Sequence, residues 1–380
     1  MTRIYFDNAS TTPLHPEVAK WMYEMSLEEY GNPSSIHFFG RKAKSLVENA
    51  RKTISKLIKA SIGEIYFTSS ATEANNMVLK NAVEYLGINH IITSPTEHPC
   101  VLQSVAYIKQ KYGIKITFLP VDQTGLVDMV ILQQILSENP DEKKLLSLMH
   151  GNNETGTMMD LQKVSAICLD NKTLFHCDTV QTLGKVPIDI SSTYLSFLSG
   201  SAHKFHGPKG VGFVYINQNN IIPPYIHGGA QERNMRAGTE NVISIGGMAK
   251  AFEIANENMD QNRTHILQLR EYFKKGLVEK FEDIRFNGEQ EGLFLAHILN
   301  VSFPPGPKAD LLVHNLDIAG ICCSSASACS SGVEADSHVL KAIRHSPERK
   351  AIRFSFSANN TLEEVDYILT KLENITPLRS

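Results

Sequence analysis

Asp178 and Lys204 are the two residues whose types and positions most directly indicate chemistry. Asp178 follows the strand-like run 173–177, and Lys204 closes the tetrapeptide 201–204 just after the run 194–199. A lysine on a turn beside a strand end can form a Schiff base with an aldehyde cofactor, and a nearby acid can keep a pyridine nitrogen protonated. Pyridoxal phosphate (PLP) depends most on these two protein groups. An isolated pair of this kind is more often a surface lysine and a helix-capping aspartate, so the interpretation needs support from the rest of the chain.

A second segment has the features of a phosphate site. The strand-like run 64–68 leads into Ser69-Ser70-Ala71-Thr72-Glu73, and a helical pattern follows. Ser70 and Glu73 have the spacing of a capping box, which marks a helix N-terminus. Free backbone N–H groups and the positive end of the helix dipole could bind phosphate there, and Thr72 would add a hydroxyl, although most capping boxes hold no phosphate. The chain has no Gly-x-x-x-x-Gly-Lys-Ser/Thr and no Gly-x-Gly-x-x-Gly, so the usual nucleotide motifs are absent.

Three more polar side chains lie near the ends of strand-like runs and could surround a pyridine ring. His98 could lie flat on the ring and also move protons, because the pKa of histidine is near neutrality. Asn153 could donate to the ring hydroxyl or to a substrate carboxylate. Gln181, three residues past Asp178, could reach the same hydroxyl. Each of these residues alone is typical of an ordinary loop or turn, but together they support the PLP interpretation.

These side chains need a scaffold that brings strand ends together. From about residue 60 to 245, short apolar runs alternate with amphipathic stretches. The predicted strands are 64–68, 90–94, 115–120, 145–149, 173–177, 194–199 and 212–216, and the predicted helices are 75–86, 101–112, 129–137 and 161–169. Such alternation favours a mainly parallel sheet with helices on both faces. Ligands of these α/β folds bind at the carboxyl ends of the strands, where the candidate residues lie.

The rest of the chain predicts a second, smaller α+β domain. Residues 248–280 have the pattern of one long helix or two joined ones, and they are followed by strand-like runs at 298–303 and 352–356 and a closing helix at 362–372. We expect a large domain over residues 15–260. The small domain would combine residues 1–14 with residues 261–380.

Composition excludes several classes of function. The chain has 380 residues, 42% of them hydrophobic and 20% charged, which is ordinary for a globular protein. A net charge of −3 gives no electrostatic reason to bind nucleic acid or an anionic membrane. The first residues lack the apolar run of a signal peptide, and no apolar stretch approaches the roughly 20 residues that span a bilayer. We therefore expect a cytoplasmic protein.

Cysteine placement predicts a reactive thiol rather than a disulfide framework. Six cysteines are too few for a disulfide scaffold, and none has a Cys-x-x-Cys or Cys/His zinc spacing, so we expect no metal site. Cys329 lies in a run of Ser, Ala and Gly without bulky or charged side chains. Taken alone, such a run is more often a plain linker, but beside the PLP candidates it also fits a mobile loop whose cysteine swings between the cofactor and an outside acceptor. Cys322 and Cys323 fit a strand leading into that loop. The remaining cysteines fit core or strand-end positions: Cys100, Cys168 and Cys177.

Together these segments resemble those of the PLP-dependent cysteine desulfurases, in the fold-type I, class V aminotransferase group. The likeness runs along nearly the whole chain. The motifs that carry it are Tyr5-Phe6-Asp7-Asn8-Ala9-Ser10-Thr11-Thr12-Pro13, Gly31-Asn32-Pro33-Ser34-Ser35, Phe39-Gly40-Arg41, Ala71-Thr72-Glu73, Thr96-Glu97-His98, Asn152-Asn153-Glu154, Asp178 with Gln181, His203-Lys204, Gly207-Pro208-Lys209-Gly210, Arg236-Ala237-Gly238-Thr239, Ser327-Ala328-Cys329-Ser330-Ser331-Gly332 and Arg353-Phe354-Ser355. The resemblance implies an α/β, fold-type I enzyme with a mainly parallel seven-stranded sheet. Its smaller domain would carry the catalytic cysteine loop at 322–334.

The same resemblance implies a role for each candidate. Lys204 would be the Schiff-base lysine and then the general base, Asp178 would hold the ring nitrogen, and Gln181 would bond the ring hydroxyl. His98 would stack on the ring and take part in catalysis. The residues implied to hold the phosphate are Ala71, Thr72, Ser201 and His203, joined by Thr239 from the other subunit of a homodimer. Those implied to bind the substrate carboxylate are Arg353 and Asn153, the latter also a cofactor contact.

The implied reaction removes sulfur from L-cysteine, leaving L-alanine and a persulfide on Cys329. The sulfur would pass to acceptor proteins, either an iron–sulfur scaffold or enzymes that thiolate tRNA or cofactors. The resemblance also implies that Cys329 could contact a cluster transiently, and it leaves the identity of the acceptor open. A transaminase needs no nucleophilic cysteine, whereas a selenocysteine lyase would use the same groups and stays open. Intact Lys204, Asp178, His98 and Arg353 argue against a non-enzymatic platform that only binds PLP and partner proteins.

Overall fold

The computed structural model describes residues 3–289, 291–306, 309–325 and 337–373. Its strands are β1 Ile4–Tyr5, β2 Ile65–Thr68, β3 His90–Thr93, β4 Lys115–Phe118, β5 Lys144–Met149, β6 Leu174–Asp178, β7 Phe197–Ser201, β8 Gly212–Ile216, β9 Arg285–Asn287, β10 Ile298–Phe303, β11 Ile321–Cys322, β12 Ser324–Ser325 and β13 Lys350–Ser355. Its helices are α1 Pro16–Glu28, α2 Phe38–Leu57, α3 Ala71–Leu86, α4 Pro99–Tyr112, α5 Met129–Ser137, α6 Leu161–Asp170, α7 Gln231–Asn234, α8 Val242–Glu257, α9 Met259–Lys280, α10 Leu312–Ile318, α11 His338–Ala342 and α12 Leu362–Leu372. Within these ranges, no helix combines the length and the apolar character needed to cross a bilayer.

The large sheet has seven strands in the described part of the chain, in the order β2-β8-β7-β6-β5-β3-β4. Strands β7, β6, β5, β3 and β4 are mutually parallel, and β8 runs antiparallel to both β2 and β7. The predicted mainly parallel, seven-stranded sheet is therefore confirmed. Parallel neighbours require crossover connections, and helices supply most of them, so the carboxyl ends of β3, β5, β6 and β7 meet at one edge of the sheet.

Helices cover both faces of this sheet, as the apolar pattern predicts. Neighbouring residues of one strand point to opposite faces, and in β3 Ile91 and Ile92 belong to different hydrophobic clusters. The cluster around Ile92 includes apolar residues of α2, α5, α6 and α8, whereas the cluster around Ile91 includes those of α3 and α4. Because both faces of the sheet are buried, these strands appear in the sequence as continuous apolar runs.

Two strand ends next to the candidate residues differ from the sequence prediction. β6 continues one residue further than predicted, so Asp178 is its last residue. β7 begins at Phe197 instead of residue 194 and continues to Ser201. Its second half is small and polar, and it stays in the sheet because Ser201 pairs with Gly212 of β8. Such residues carry no apolar signal, so only strand pairing identifies them as part of the strand.

A second hydrophobic cluster surrounds a four-stranded antiparallel sheet in the order β12-β13-β10-β9. Helices α9 and α12 pack against it through apolar residues such as Phe273 and Ile368. Strand β1 pairs with β11 in parallel, and Phe6 packs into the same cluster. The stretch predicted as one long helix or two joined ones is two helices, α8 and α9, which meet at Asn258.

The connection that leads into α8 contains a strained segment held by a buried ion pair. Glu232, Arg233 and Asn234 have positive φ angles of 46°, 55° and 64°, which are uncommon for residues other than glycine. The guanidinium of Arg51 donates two 2.8 Å bonds to the Glu232 carboxylate, and both side chains are almost fully buried. Burial opposes the charged form of Arg51, but its bonds with Glu232 outweigh that effect and raise its pKa. This pair fixes the path of the chain four residues before Arg236.

Candidate active site

A cavity of about 350 Å³ opens at the carboxyl edge of the large sheet, and we call it the catalytic pocket. Ten of the twelve residues predicted from the sequence line it: Ala71, Thr72, His98, Asn153, Asp178, Gln181, Ser201, His203, Lys204 and Arg353. They come from six separate regions of the chain, from residue 71 to residue 353. The fold therefore brings together side chains that the sequence only places at individual strand ends.

One end of the pocket is the N-terminus of α3. Ser70 caps this helix and accepts a 3.3 Å hydrogen bond from the backbone of Glu73. The predicted capping box is only half formed, because the Glu73 carboxylate accepts from the backbone and hydroxyl of Ser69 and pairs with Arg236. Burial opposes ionisation of Glu73, yet its bonds with Arg236 and Ser69 outweigh burial and lower its pKa. The first turn of α3 is thereby fixed to the segment that contains Arg236.

The close approach of α3 to the sheet depends on a glycine in β8. A Cβ atom added to Gly212 would lie 2.5 Å from the backbone oxygen of Gly200 and 3.2 Å from the backbone nitrogen of Ala71. Backbone atoms cannot give way as a flexible side chain can, so any other residue would push the helix N-terminus away. Gly212 thus sets the position of the N–H groups that face the pocket at Ala71 and Thr72.

Asp178 is held by a buried hydrogen-bond network that the sequence did not reveal. Its Oδ2 atom accepts a 2.7 Å bond from the side-chain nitrogen of Asn75, and its Oδ1 atom accepts from the backbone of Val180 at 3.0 Å. The Asn75 oxygen lies 3.1 Å from Nε2 of His176, and Ser147 lies 2.8 Å from Nδ1 of the same ring. Burial lowers the pKa of His176 to about 4, so the ring is neutral at pH 7. The carboxylate therefore has a fixed orientation toward the pocket.

Sequence signals for this network exist but are weak. His176 and Asp178 are two residues apart in β6, so they lie on the same face of the sheet. Asn75 is fully buried in α3, one turn after its cap. One pattern could have identified the network in the sequence. It is a buried amide in a helix that begins at a binding site, opposite a strand that ends in an acid.

His98 is fixed as the N-cap of α4. Its Nδ1 atom accepts a 3.2 Å bond from the backbone of Cys100, and the Cys100 sulfur lies 3.0 Å from the same atom. Burial lowers the pKa of His98, although the charge of Asp178 opposes this, so the ring is neutral at pH 7. Cys100 lines the pocket in the first turn of a helix, in contrast to the predicted core or strand-end position. Burial raises the pKa of this thiol to about 12, so it stays protonated.

Lys204 follows β7 in a 3₁₀ turn, Ala202–Lys204, and the N-terminal segment holds it there. Its ammonium donates to the backbone oxygens of Ala9 at 2.8 Å and Ser10 at 2.7 Å. The side chain of Gln181 donates to the same oxygen of Ala9 at 2.9 Å. Burial lowers the pKa of His203 to about 4, and the nearby charge of Lys204 lowers it further, so His203 can act only as a neutral hydrogen-bonding group.

Arg353 enters the pocket from β13. Its neighbours in the strand, Ile352 and Phe354, face the second hydrophobic cluster, whereas Arg353 points away from it, as the alternation predicts. Its guanidinium donates to the backbone oxygen of Asn153 at 2.8 Å and to Asp7 Oδ1 at 2.9 Å. The buried Nε atom has no hydrogen-bond partner among the described residues. The guanidinium also donates to the hydroxyl of Ser10 at 2.6 Å, so three of its five N–H groups hold it in place and two are left for a ligand.

Two predicted residues are not part of this pocket as described. Thr239 is exposed and does not line it. Cys329 lies outside the described residues. The chain on each side of its segment is tied to the pocket region, because Ser324 donates to Asp7 at 2.7 Å and Ser337 donates to Glu154 at 2.5 Å. Cys322 ends β11, in agreement with the prediction of a strand before the cysteine loop.

Comparison with known proteins gives a consistent result. The class-V aminotransferase family model matches residues 4–368. The cysteine desulfurase IscS of Dictyoglomus turgidum is 43% identical over 376 residues, covering 98% of this chain and 94% of that protein. A solved structure of a NifS-like protein is 39% identical with a TM-score of 0.90, covering 98% of this chain and 99% of its own. A structure of SspA in complex with cysteine is 29% identical with a TM-score of 0.80, covering 95% and 100% of the two chains.

Proposed function

The chain belongs to the class-V aminotransferase family and is a cysteine desulfurase, and on this basis we propose which residues remove sulfur from L-cysteine. The observation that carries the proposal is the catalytic pocket itself. It combines the amine of Lys204, the carboxylate of Asp178 and the guanidinium of Arg353 in about 350 Å³. These are the groups needed to hold an aldehyde cofactor, to stabilise its ring and to bind a carboxylate substrate.

We infer that PLP is the resident cofactor, because the groups in the pocket fit its parts. Ala71 and Thr72 offer backbone N–H groups and a hydroxyl at a helix N-terminus, which suits a phosphate, together with Ser201 and His203. Asp178, oriented by its 2.7 Å bond from Asn75, suits a protonated ring nitrogen. When bound, PLP withdraws electrons from the α-carbon of the substrate.

The protein groups then have distinct tasks. Arg353 and Asn153 bind the carboxylate of cysteine, with Asp7 holding the guanidinium in position. The amine of Lys204 holds the cofactor covalently at rest and, once released, takes the proton from the α-carbon of the substrate as general base, a role that typically contributes about 10²–10⁴-fold. His98 covers the ring and can accept a proton because burial keeps its imidazole neutral at pH 7.

Cys329 completes the reaction in this proposal. Its thiolate attacks the sulfur of the substrate, so that an S–S bond forms while the Cβ–S bond breaks. The electron pair of the broken bond goes to Cβ, which takes up a proton and leaves in L-alanine. The ties from Ser324 to Asp7 and from Ser337 to Glu154 support this role, because they place both flanks of the cysteine segment beside the pocket.

We propose further that the enzyme is a homodimer with shared sites. Thr239 is exposed in its own chain, and Arg236 nearby is anchored to the helix that starts at the phosphate end. Thr239 would reach the phosphate of the partner subunit. Mixing inactive Lys204→Ala chains with inactive Thr239→Ala chains should then restore part of the activity, because one hybrid site is intact. A monomer with full activity in sedimentation would disprove this arrangement.

We propose that the large domain spans residues 15–260 and that residues 1–14 join residues 261–380 in the small domain. The pairing of β1 with β11 supports this division.

The sulfur would pass, in the cytoplasm, to an iron–sulfur scaffold or to enzymes that thiolate tRNA or cofactors. The iron–sulfur alternative is supported by the IscS name of the D. turgidum relative.

The test is turnover by the purified protein. With L-cysteine, PLP and a thiol reductant that releases the persulfide sulfur as sulfide, it should form one L-alanine per sulfide. Without added reductant, mass spectrometry after one turnover should find the extra sulfur on Cys329. A selenocysteine lyase would act on selenocysteine and leave cysteine nearly unchanged, so comparing kcat/KM for the two substrates separates these alternatives. Absence of both activities in a protein that binds PLP would favour a binding platform.

A further inference from the structure

A second cavity of about 400 Å³ lies beside the catalytic pocket, and no step of the proposed reaction uses it. Among the described residues, only Lys204 lines both cavities. The second cavity is formed where the N-terminal segment, the end of α8 and the start of α9 meet the loops around residues 185, 297 and 358. Its volume is far above that needed for a single water molecule, so it can hold a small organic ligand.

The ionisable groups of this cavity are predominantly basic. They include Lys185, Lys204, His206 and His297, while Glu17 is the only carboxylate among its described lining residues. Glu17 is exposed, and its carboxylate lies 4.0 Å from the ammonium of Lys250, a residue that does not line the cavity. Apart from Glu17, the described lining residues therefore include no acid that could neutralise a lysine. An anion would meet ammonium and imidazole groups without a competing carboxylate.

Lys185 lines this cavity and has unused bonding capacity. Its ammonium donates to the backbone oxygen of Gln181 at 3.3 Å, the one hydrogen bond it makes with described residues. An ammonium has three N–H donors, so two remain for a ligand. Burial lowers the pKa of Lys185 to about 7, and the charge of Lys204 adds to this effect. An anion in the cavity would stabilise the charged form of Lys185 and so raise its pKa, against the effects of burial and of Lys204.

Asn8 adds a second, independent feature. It lines the cavity and is 1% exposed, and its side-chain nitrogen donates to the backbone oxygen of Ser355 at 2.9 Å, which fixes the orientation of the amide. The side-chain oxygen of Asn8 is buried and has no hydrogen-bond partner among the described residues. A buried acceptor without a partner is costly, so a ligand that brings a donor is favoured at this site.

We propose that the second cavity is a binding site for a small carboxylate that also carries a hydrogen-bond donor, of the α-hydroxy or α-amino acid class. The carboxylate accepts from Lys185, and the hydroxyl or ammonium group donates to Asn8. This is a separate site from the one that binds the substrate at Arg353. It goes beyond the desulfurase reaction and does not require that reaction to proceed.

The ligand would be coupled to the catalytic pocket through Gln181. The backbone oxygen of this residue accepts from Lys185, its side-chain oxygen lies 3.3 Å from Nε2 of His297, and its side-chain nitrogen donates to Ala9, which also accepts from Lys204. Any change that a ligand makes at Lys185 or His297 therefore reaches a residue that lines the catalytic pocket. By linkage, the cofactor and the carboxylate change the affinity of the protein for each other by the same factor.

The charge on Lys185 predicts the pH dependence of binding. The basic groups facing it are Lys204, His203, His206 and His297, and burial lowers the pKa of each of these three histidines, so they are neutral near pH 7. Binding then requires a protonated Lys185, whose pKa is about 7. Raising the pH from 6 to 8 reduces the protonated fraction, and hence the apparent affinity, by about tenfold.

The experiment is isothermal titration of the PLP-loaded protein with L-lactate, which has no amine to react with the cofactor. Wild-type protein should bind lactate and take up protons at pH 8. Lys185→Met should weaken binding at least about tenfold, since it removes a charged donor. The matched control Lys209→Met removes an exposed lysine that lines neither cavity, and Arg353→Lys alters the carboxylate site of the catalytic pocket. Both should bind lactate at the second cavity as the wild type does.

A further variant keeps the test decisive if Lys185→Met does not fold. Lys185→Arg retains a charge at every accessible pH, so it should bind lactate with an affinity that no longer falls between pH 6 and 8. The proposal is overturned if wild-type protein shows no binding of lactate at millimolar concentrations, or if Lys185→Met and Lys209→Met bind equally. It is also overturned if Arg353→Lys alone removes binding. None of these results depends on whether the protein turns over cysteine.

Discussion

Replacing Arg353 with lysine is the most direct test of how the pocket binds its substrate. The guanidinium is already bonded to Asn153, Asp7 and Ser10, at 2.8, 2.9 and 2.6 Å. A planar guanidinium has five N–H donors in a fixed fork, so it can keep these contacts and still bind a carboxylate. A lysine ammonium has three donors at one point, and Asp7 and Asn153 would occupy most of them. The substitution therefore removes at least one charge-assisted hydrogen bond from the substrate.

A hydrogen bond of that kind contributes about 1.5–3 kcal/mol. Each 1.36 kcal/mol is a factor of ten, so the KM for cysteine should rise by about 10–150-fold while kcat changes little. The assay is steady-state formation of alanine over a range of cysteine concentrations, with the absorbance spectrum of the bound cofactor recorded for each variant. The spectrum should not change, because Arg353 is assigned to the substrate and not to the cofactor.

The matched control is Arg349→Lys. Arg349 is also buried, lies four residues before Arg353, and bonds to Ser302 and Asp283 outside the catalytic pocket. This variant should lose stability but keep the KM of the wild type. An unaltered KM in Arg353→Lys, or an equal rise in both variants, would refute the assignment of Arg353 to the substrate carboxylate.

Three further substitutions, two of them with a matched control, test other parts of the site and the fold. Lys204→Ala should bind PLP without the absorbance of lysine-bound cofactor and should retain no cofactor after borohydride reduction; a retained cofactor would mean that another lysine holds it. Cys329→Ser should bind PLP and cysteine but form no alanine, whereas Cys322→Ser should keep measurable turnover, and the opposite result would move the nucleophile. Glu232→Gln leaves a buried arginine uncompensated and should lower the free energy of unfolding by about 3–5 kcal/mol in denaturant titrations. Glu48→Gln removes the half-exposed partner of the same arginine and should cost no more than about 1 kcal/mol, so equal losses would contradict the importance of burial.

Local patterns in the sequence were sufficient to predict the scaffold of this protein. Apolar runs that alternate with helical periodicity predicted the mainly parallel sheet, and polar residues at the ends of those runs predicted where Asp178 and Lys204 would lie. Both predictions succeed because strand and helix periods are properties of neighbouring residues, which the chain displays directly. The helix bounds of α5 and α12 are reproduced to the residue for the same reason.

Contacts between distant residues were decided by the tertiary structure alone. The bond from Asn75 to Asp178 joins residues 103 positions apart, and the bond from Arg353 to Asp7 joins residues 346 positions apart. The unused donors of Lys185 face a cavity whose walls come from segments spread over the chain between residues 8 and 359. No local propensity encodes such pairs, because they exist only after helices and strands have packed and their side chains share a low-dielectric interior. The sequence by itself therefore determined which elements form and which chemical groups stand at their ends, while packing decided which groups meet, how they are oriented and which remain neutral.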